Sequence, residues 1–91
     1  MARFTVSRTY TMEKSEVREI AEDLAHQIQR DYGVSARWQG DTVSMRGSGV
    51  DGRLAIEEDV IRVDVTLGMM ASMFERPLRR IVTEYLDEYV S

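Results

Sequence analysis

From Arg3 to Tyr10 polar and apolar residues alternate. Phe4, Val6 and Tyr10 fall on one side, Arg3, Thr5, Ser7 and Thr9 on the other, and Arg8 comes at the rim of the apolar side. A period of two predicts a half-buried strand. The period then lengthens: Val17, Ile20, Ala21, Leu24, Ile28 and Tyr32 recur at three- and four-residue steps, while Glu16, Glu19, Glu22, Gln27 and Arg30 take the other faces. That spacing predicts an amphipathic helix. Thr11 and Ser15 are both candidate N-caps, and Gly33 can take the left-handed conformation that closes a helix.

Alternation then returns in four short runs. Val34, Ala36 and Trp38 share one parity, as do Val43, Met45 and Gly47, then Leu54 and Ile56, then Ile61, Val63, Val65 and Leu67. The dipeptides between the runs, Gly40-Asp41, Asp51-Gly52 and Glu58-Asp59, read as three two-residue hairpin turns. With those turns every apolar residue stays on one face, and Arg46 is expected opposite Glu57 and Arg53 opposite Asp64 on the other. That outer face carries Ser35, Arg37, Ser44, Arg46, Arg53, Glu57, Arg62, Asp64 and Thr66 and reads as solvated.

A second helical pattern, Leu78, Ile81, Val82, Tyr85, Leu86 and Tyr89, follows Pro77. Proline is tolerated in a first helical turn but not in an interior. The spacing therefore predicts a short or kinked helical segment over residues 69 to 75 and the main helix over 77 to 90. One apolar sheet face and two apolar helix stripes combine most economically as an α+β two-layer sandwich. The expectation is a mostly antiparallel five-stranded sheet with two helices on one face, in the order β-α-β-β-β-β-α, like a shortened helix-grip.

Ninety-one residues suffice for one core and not for two, so residues 1 to 91 are expected to form one domain. Burial gain and ordering cost nearly cancel at this size, which makes a homodimer a reasonable expectation. No apolar run approaches the length of a transmembrane segment, and the start lacks the continuous apolar centre of a signal peptide; both point to the cytoplasm. A net charge of −4 argues against nucleic acid, which demands clustered cations; Arg76, Arg79 and Arg80 are the nearest approach, and Glu84, Asp87 and Glu88 follow them. Without cysteine there is neither a disulfide framework nor thiolate chemistry.

Candidate chemistry is sparse. Gly47-Ser48-Gly49-Val50-Asp51-Gly52 spells a dinucleotide fingerprint, but that motif works only where a helix follows, and here an alternating strand follows. A glycine-rich hairpin is the expectation, with no cofactor. His26 lies opposite Leu24 and Ile28 and should face water, with no metal cluster around it. Glu57, Glu58 and Asp59 fall on a hairpin tip, too hydrated to act as an acid–base pair. No catalytic, cofactor-binding or metal-binding residue is expected, and the chain does not read as an enzyme. Trp38 is expected on the inner face as a core anchor with its N–H near the edge.

Met69, Met70, Met73 and Phe74 form the one group with a competing functional reading. Core filling is the expected role for most of it. The interruption at Pro77 could nevertheless leave part exposed as an apolar interaction surface, and methionine adapts to varied apolar partners.

Several segments resemble the polyhydroxyalkanoic acid system protein family, also called the granule-region family. They are Asp31-Tyr32-Gly33, Trp38-Gln39-Gly40-Asp41, Gly49-Val50-Asp51-Gly52-Arg53-Leu54, Val63-Asp64-Val65-Thr66-Leu67-Gly68 and the closing Tyr85-Leu86-Asp87. Together they run in order over nearly the whole chain. In that family the first strand runs into a histidine and then a leucine, where this chain has Tyr10 and Met12. The resemblance implies a small bacterial protein encoded near genes for the storage polyester polyhydroxyalkanoate and does not imply an enzyme, since the family has no established active site to carry over. The leading expectation is an accessory protein acting at or near the granule surface or on granule proteins. The residues leave two other readings open: a binder of lipid or another hydrophobic ligand, in a cavity for which Gly47 and Ala36 leave room, and a homodimeric interaction module.

Overall fold

In a computed structural model, which describes residues 2 to 91, strand β1 (Ala2–Thr9) leads through helix α1 (Lys14–Tyr32) into a meander. The meander comprises β2 (Ser35–Gln39), β3 (Thr42–Gly47), β4 (Val50–Ile56) and β5 (Val60–Leu67). A 3-10 segment (Met69–Phe74) then joins β5 to helix α2 (Glu75–Tyr89). All five strands form one antiparallel sheet in the order β1-β5-β4-β3-β2. The expected α+β fold and element order are those observed.

The topology explains why α1 is long. It must carry the chain from one sheet edge, β1, to the other, β2. Its 19 residues span roughly 28 Å at a rise of about 1.5 Å each, more than the roughly 19 Å across five strands. The helix therefore crosses the sheet, packing over β2, β3 and β4, while α2 packs over β1. Between helices and sheet lies one continuous core in which Leu24, Met45, Leu54, Ile61, Leu67, Leu78 and Leu86 are essentially inaccessible. The parity read from the sequence holds at every strand, and Val50 and Gly52 join the inward set.

The turns depart from expectation at one place. Gln39 pairs with Thr42 around Gly40-Asp41, and Ile56 pairs with Ile61 with Glu57 N–H donating to Val60 O around Glu58-Asp59, as anticipated. The β3–β4 turn is Ser48-Gly49, not Asp51-Gly52, because Gly47 pairs with Val50, Arg46 with Asp51 and Met45 with Gly52. Ser48 and Gly49 both have positive φ, 53° and 80°, as a type I′ hairpin turn demands of its two central residues. The shift is three residues at the turn and an even number in pairing, so inward residues stay inward. Gly52 serves packing instead: it faces Met45, and a Cβ there would lie 3.5 Å from the Met45 methyl.

Charge pairing follows the corrected register. Arg46 lies opposite Asp51, at 3.6 Å, and not opposite Glu57, which pairs with Arg62 at 3.0 Å. Arg53 does lie opposite Asp64, but without an ion pair; Asp64 accepts instead from Thr5 Oγ1 at 2.6 Å.

At the helix ends, α1 begins after Glu13 and not after Thr11 or Ser15, with no side-chain cap; Gly33 closes it at φ 70° as expected. Arg8 donates to Asp87 at 2.6 Å, fastening β1 to α2. Tyr10 is buried and its hydroxyl donates to Glu57 O, joining the end of β1 to the β4–β5 turn.

Candidate apolar interaction surface

Leu67, the last residue of β5, is buried, and after Gly68 the chain leaves the sheet. The 3-10 form of the next six residues has a local cause. Pro77 has no N–H for the carbonyl four residues before it, and its ring crowds that carbonyl, so an α-helix cannot run back through Met73. The segment tightens into 3-10 turns instead, with Ser72 Oγ donating to Met69 O and Glu75 N–H to Ser72 O.

A 3-10 helix this short can bury little, and here it buries one residue. Ala71 is 1% exposed, seated against the β3–β4 hairpin: Gly68 N–H donates to Gly49 O at 2.8 Å, and a Cβ on Gly49 would stand 3.1 Å from that of Ala71. With Ala71 turned inward, Met69, Met70 and Met73 are 83%, 89% and 74% exposed and Phe74 is 39% exposed. The expectation that this group mainly fills the core is therefore corrected: it projects outward. Phe74 alone has an aromatic neighbour, the half-buried Tyr32, edge-to-face at 5.6 Å between centroids. Burial raises the pKa of the Tyr32 hydroxyl, with Asp31 adding to the shift.

Beneath the helices the space is filled. A Cβ on Gly47 would come within 3.2 Å of Gly33 O and Val34 Cα, so the room that Gly47 offers in the sequence is taken by the α1–β2 connection. Leu78, Val82 and Leu86 of α2 close on the sheet with no measurable exposure.

The other residues singled out in the sequence do not come together. His26 is exposed on α1. Glu58 and Asp59 are exposed at the hairpin tip and Glu57 is held by Arg62. Among the described residues no three metal-ligating side chains converge. The glycine-rich stretch is a hairpin, as expected. Trp38 is half-buried at the edge of the core, its ring covered by the Arg18 guanidinium at 3.8 Å, and Arg18 donates to Gly40 O at 2.9 Å.

The displaced titrations of Asp87 and Asp41 belong to surface ties. A hydrogen bond from Arg8 lowers the Asp87 pKa, and one from Lys14, at 2.8 Å, lowers that of Asp41. Burial raises that of Tyr85. The sequence reading missed the alignment of Arg37, Ser44 and Arg53 in one row across the outer face; parity placed them on that face, but only the true register makes them neighbours.

Fold and surface together define a class: a small antiparallel α+β domain with a filled interior that presents a cluster of large apolar side chains at one end of its sheet. Within that class the chain belongs to the family described as "Putative polyhydroxyalkanoic acid system protein", whose model matches residues 4–90. No curated protein matches the chain. No helix among the described residues is long and apolar enough to cross a membrane.

Proposed function

We propose that this protein is a non-catalytic accessory of polyhydroxyalkanoate metabolism that docks on the storage polyester, in the cytoplasm, through Met69, Met70, Met73 and Phe74. The observation that carries the reading is their exposure on a segment whose one buried residue is Ala71. Leaving such side chains in water forgoes favourable burial, and a contiguous apolar patch marks a contact surface. A polyester of hydroxyalkanoic acids offers an apolar, conformationally varied surface to which unbranched, polarizable methionines adapt.

Partial burial of three methionines at about 25 cal/mol per Å² gives roughly 3–5 kcal/mol gross, against which orientational losses count. Binding of one copy should therefore be weak and reversible. The test is co-sedimentation with polyhydroxybutyrate particles of the wild type and of the combined Met69→Ser, Met70→Ser, Met73→Ser variant. The wild type should pellet with the particles, and the variant should bind at least about tenfold more weakly with an unchanged melting temperature. Equal binding by both proteins would reject this surface.

A further inference from the structure

The outer sheet face is unlike the rest of the molecule. It carries Arg3, Arg37, Arg46, Arg53 and Arg62 against Asp51, Glu57 and Asp64, a surplus of two cations on a chain whose net charge is −4. The pairing register sorts these charges into rows. One row runs Arg37, Ser44, Arg53, Asp64, Thr5 across all five strands. In it Ser44 has an arginine directly opposite on either side.

Neither arginine is spent elsewhere. Among the described residues Arg37 and Arg53 take part in no ion pair, and Asp64, the natural partner of Arg53, is turned to Thr5. Two strand spacings separate the arginines, roughly 10 Å between Cα atoms, within the combined reach of two such side chains. A surface groove opens beside Ser44 and Arg53, lined also by Gln39, Thr42, Arg46 and Asp51; Arg37, opposite Ser44, stands outside that lining on the β2 side.

We propose that this groove binds the carboxylate of a small organic acid. Guanidinium groups present planar forks that match the two oxygens of a carboxylate. Arg37 and Arg53 would hold one from opposite sides over the Ser44 hydroxyl, while Thr42 and Gln39 in the adjoining row supply donors and acceptors to a hydroxyl group on the same acid. The charge balance favours a monoanion. Asp51 at the groove and Asp64 on its flank repel a phosphate dianion about twice as strongly as a carboxylate. This inference does not depend on the apolar segment, which belongs to another part of the surface.

The test is a titration of the 15N-labelled protein at low salt with 3-hydroxybutyrate and, separately, with inorganic phosphate, followed by amide chemical shifts. With 3-hydroxybutyrate, shifts should concentrate at Arg37, Thr42, Ser44 and Arg53 and saturate in the millimolar range. Arg37→Gln and Arg53→Gln should each raise the dissociation constant about threefold or more. Arg62→Gln, which disturbs the pair with Glu57 one row away, should leave it unchanged. Absence of localised shifts, shifts undiminished in both the Arg37 and the Arg53 variant, or tighter binding of phosphate than of 3-hydroxybutyrate would overturn the assignment. All three substitutions are on the exterior, and the dispersion of the spectra reports whether each variant is folded.

Discussion

Two glycines three residues apart have opposite duties, and substituting alanine for each separates them. Gly49 sits at φ 80° in the β3–β4 turn. An alanine there carries the left-handed penalty of about 1–2 kcal/mol. Its Cβ would also stand 3.1 Å from that of Ala71, so the 3-10 segment must yield by a few tenths of an ångström. The total is about 2 kcal/mol, which for a domain of this size lowers the melting temperature by roughly 8–16 °C. Gly52 lies in mid-strand with no positive φ, and its added Cβ would meet the Met45 methyl at 3.5 Å and Val65 Cγ2 at 3.7 Å, ordinary contact distances. Alanine there removes the entropic cost of a strand glycine, about 0.5–1 kcal/mol, so Gly52→Ala should be neutral or mildly stabilising. Urea unfolding with a common slope for wild type and variants reads both differences. If Gly52→Ala lost as much stability as Gly49→Ala, the turn would lie at Asp51-Gly52 and the register described here would be wrong.

Leu78→Ala, in the fully buried stripe of α2, should cost about 2–5 kcal/mol by urea unfolding, whereas the triple methionine variant should leave the unfolding midpoint in place. Asp87 is held below its ordinary value of 3.8 by its hydrogen bond from Arg8. The folded protein keeps this carboxylate ionised to lower pH than the unfolded chain does. Its stabilising contribution is thus present above about pH 4 and lost as the pH falls through the lowered value. Asp87→Asn should accordingly make the melting temperature fall less steeply between pH 5 and pH 2, a difference that thermal scans across that range would register; an unchanged slope would discount the Arg8 tie.

The fold was legible because two periods, two and three-to-four, fix which side of each element is apolar, and Gly33 and Pro77 punctuate them. The sequence misplaces the turn because Asp-Gly is the stronger local signal, and Ser48-Gly49 wins only through partners distant in sequence. Gly49 lies tight against Ala71 and its carbonyl accepts from the Gly68 N–H, which ties the turn to the segment that follows β5. The helix start was misplaced for a related reason: Thr11 and Ser15 are good caps by type, yet the N–H groups of Glu16 and Val17 bond to the backbone carbonyl of Glu13 and no side-chain cap is used. The methionines were ambiguous because nothing in a run of Met and Phe says which way a 3-10 turn will face; the outcome hangs on Ala71, the small residue that fits against the hairpin. The arginine row depended on register alone. With the turn three residues late, Ser44 would have been set against Asp59 and the pattern would not have formed.

The arrangement around Ala71 has a consequence for how this protein can change over generations. Stability is vested in one small side chain and a backbone hydrogen bond, while stickiness is vested in neighbours that contribute almost nothing to the interior. Met69, Met70 and Met73 can therefore be exchanged for larger, smaller or more polar residues without risk to folding. Descendants of one scaffold could tune their grip, or choose a new counterpart, one codon at a time.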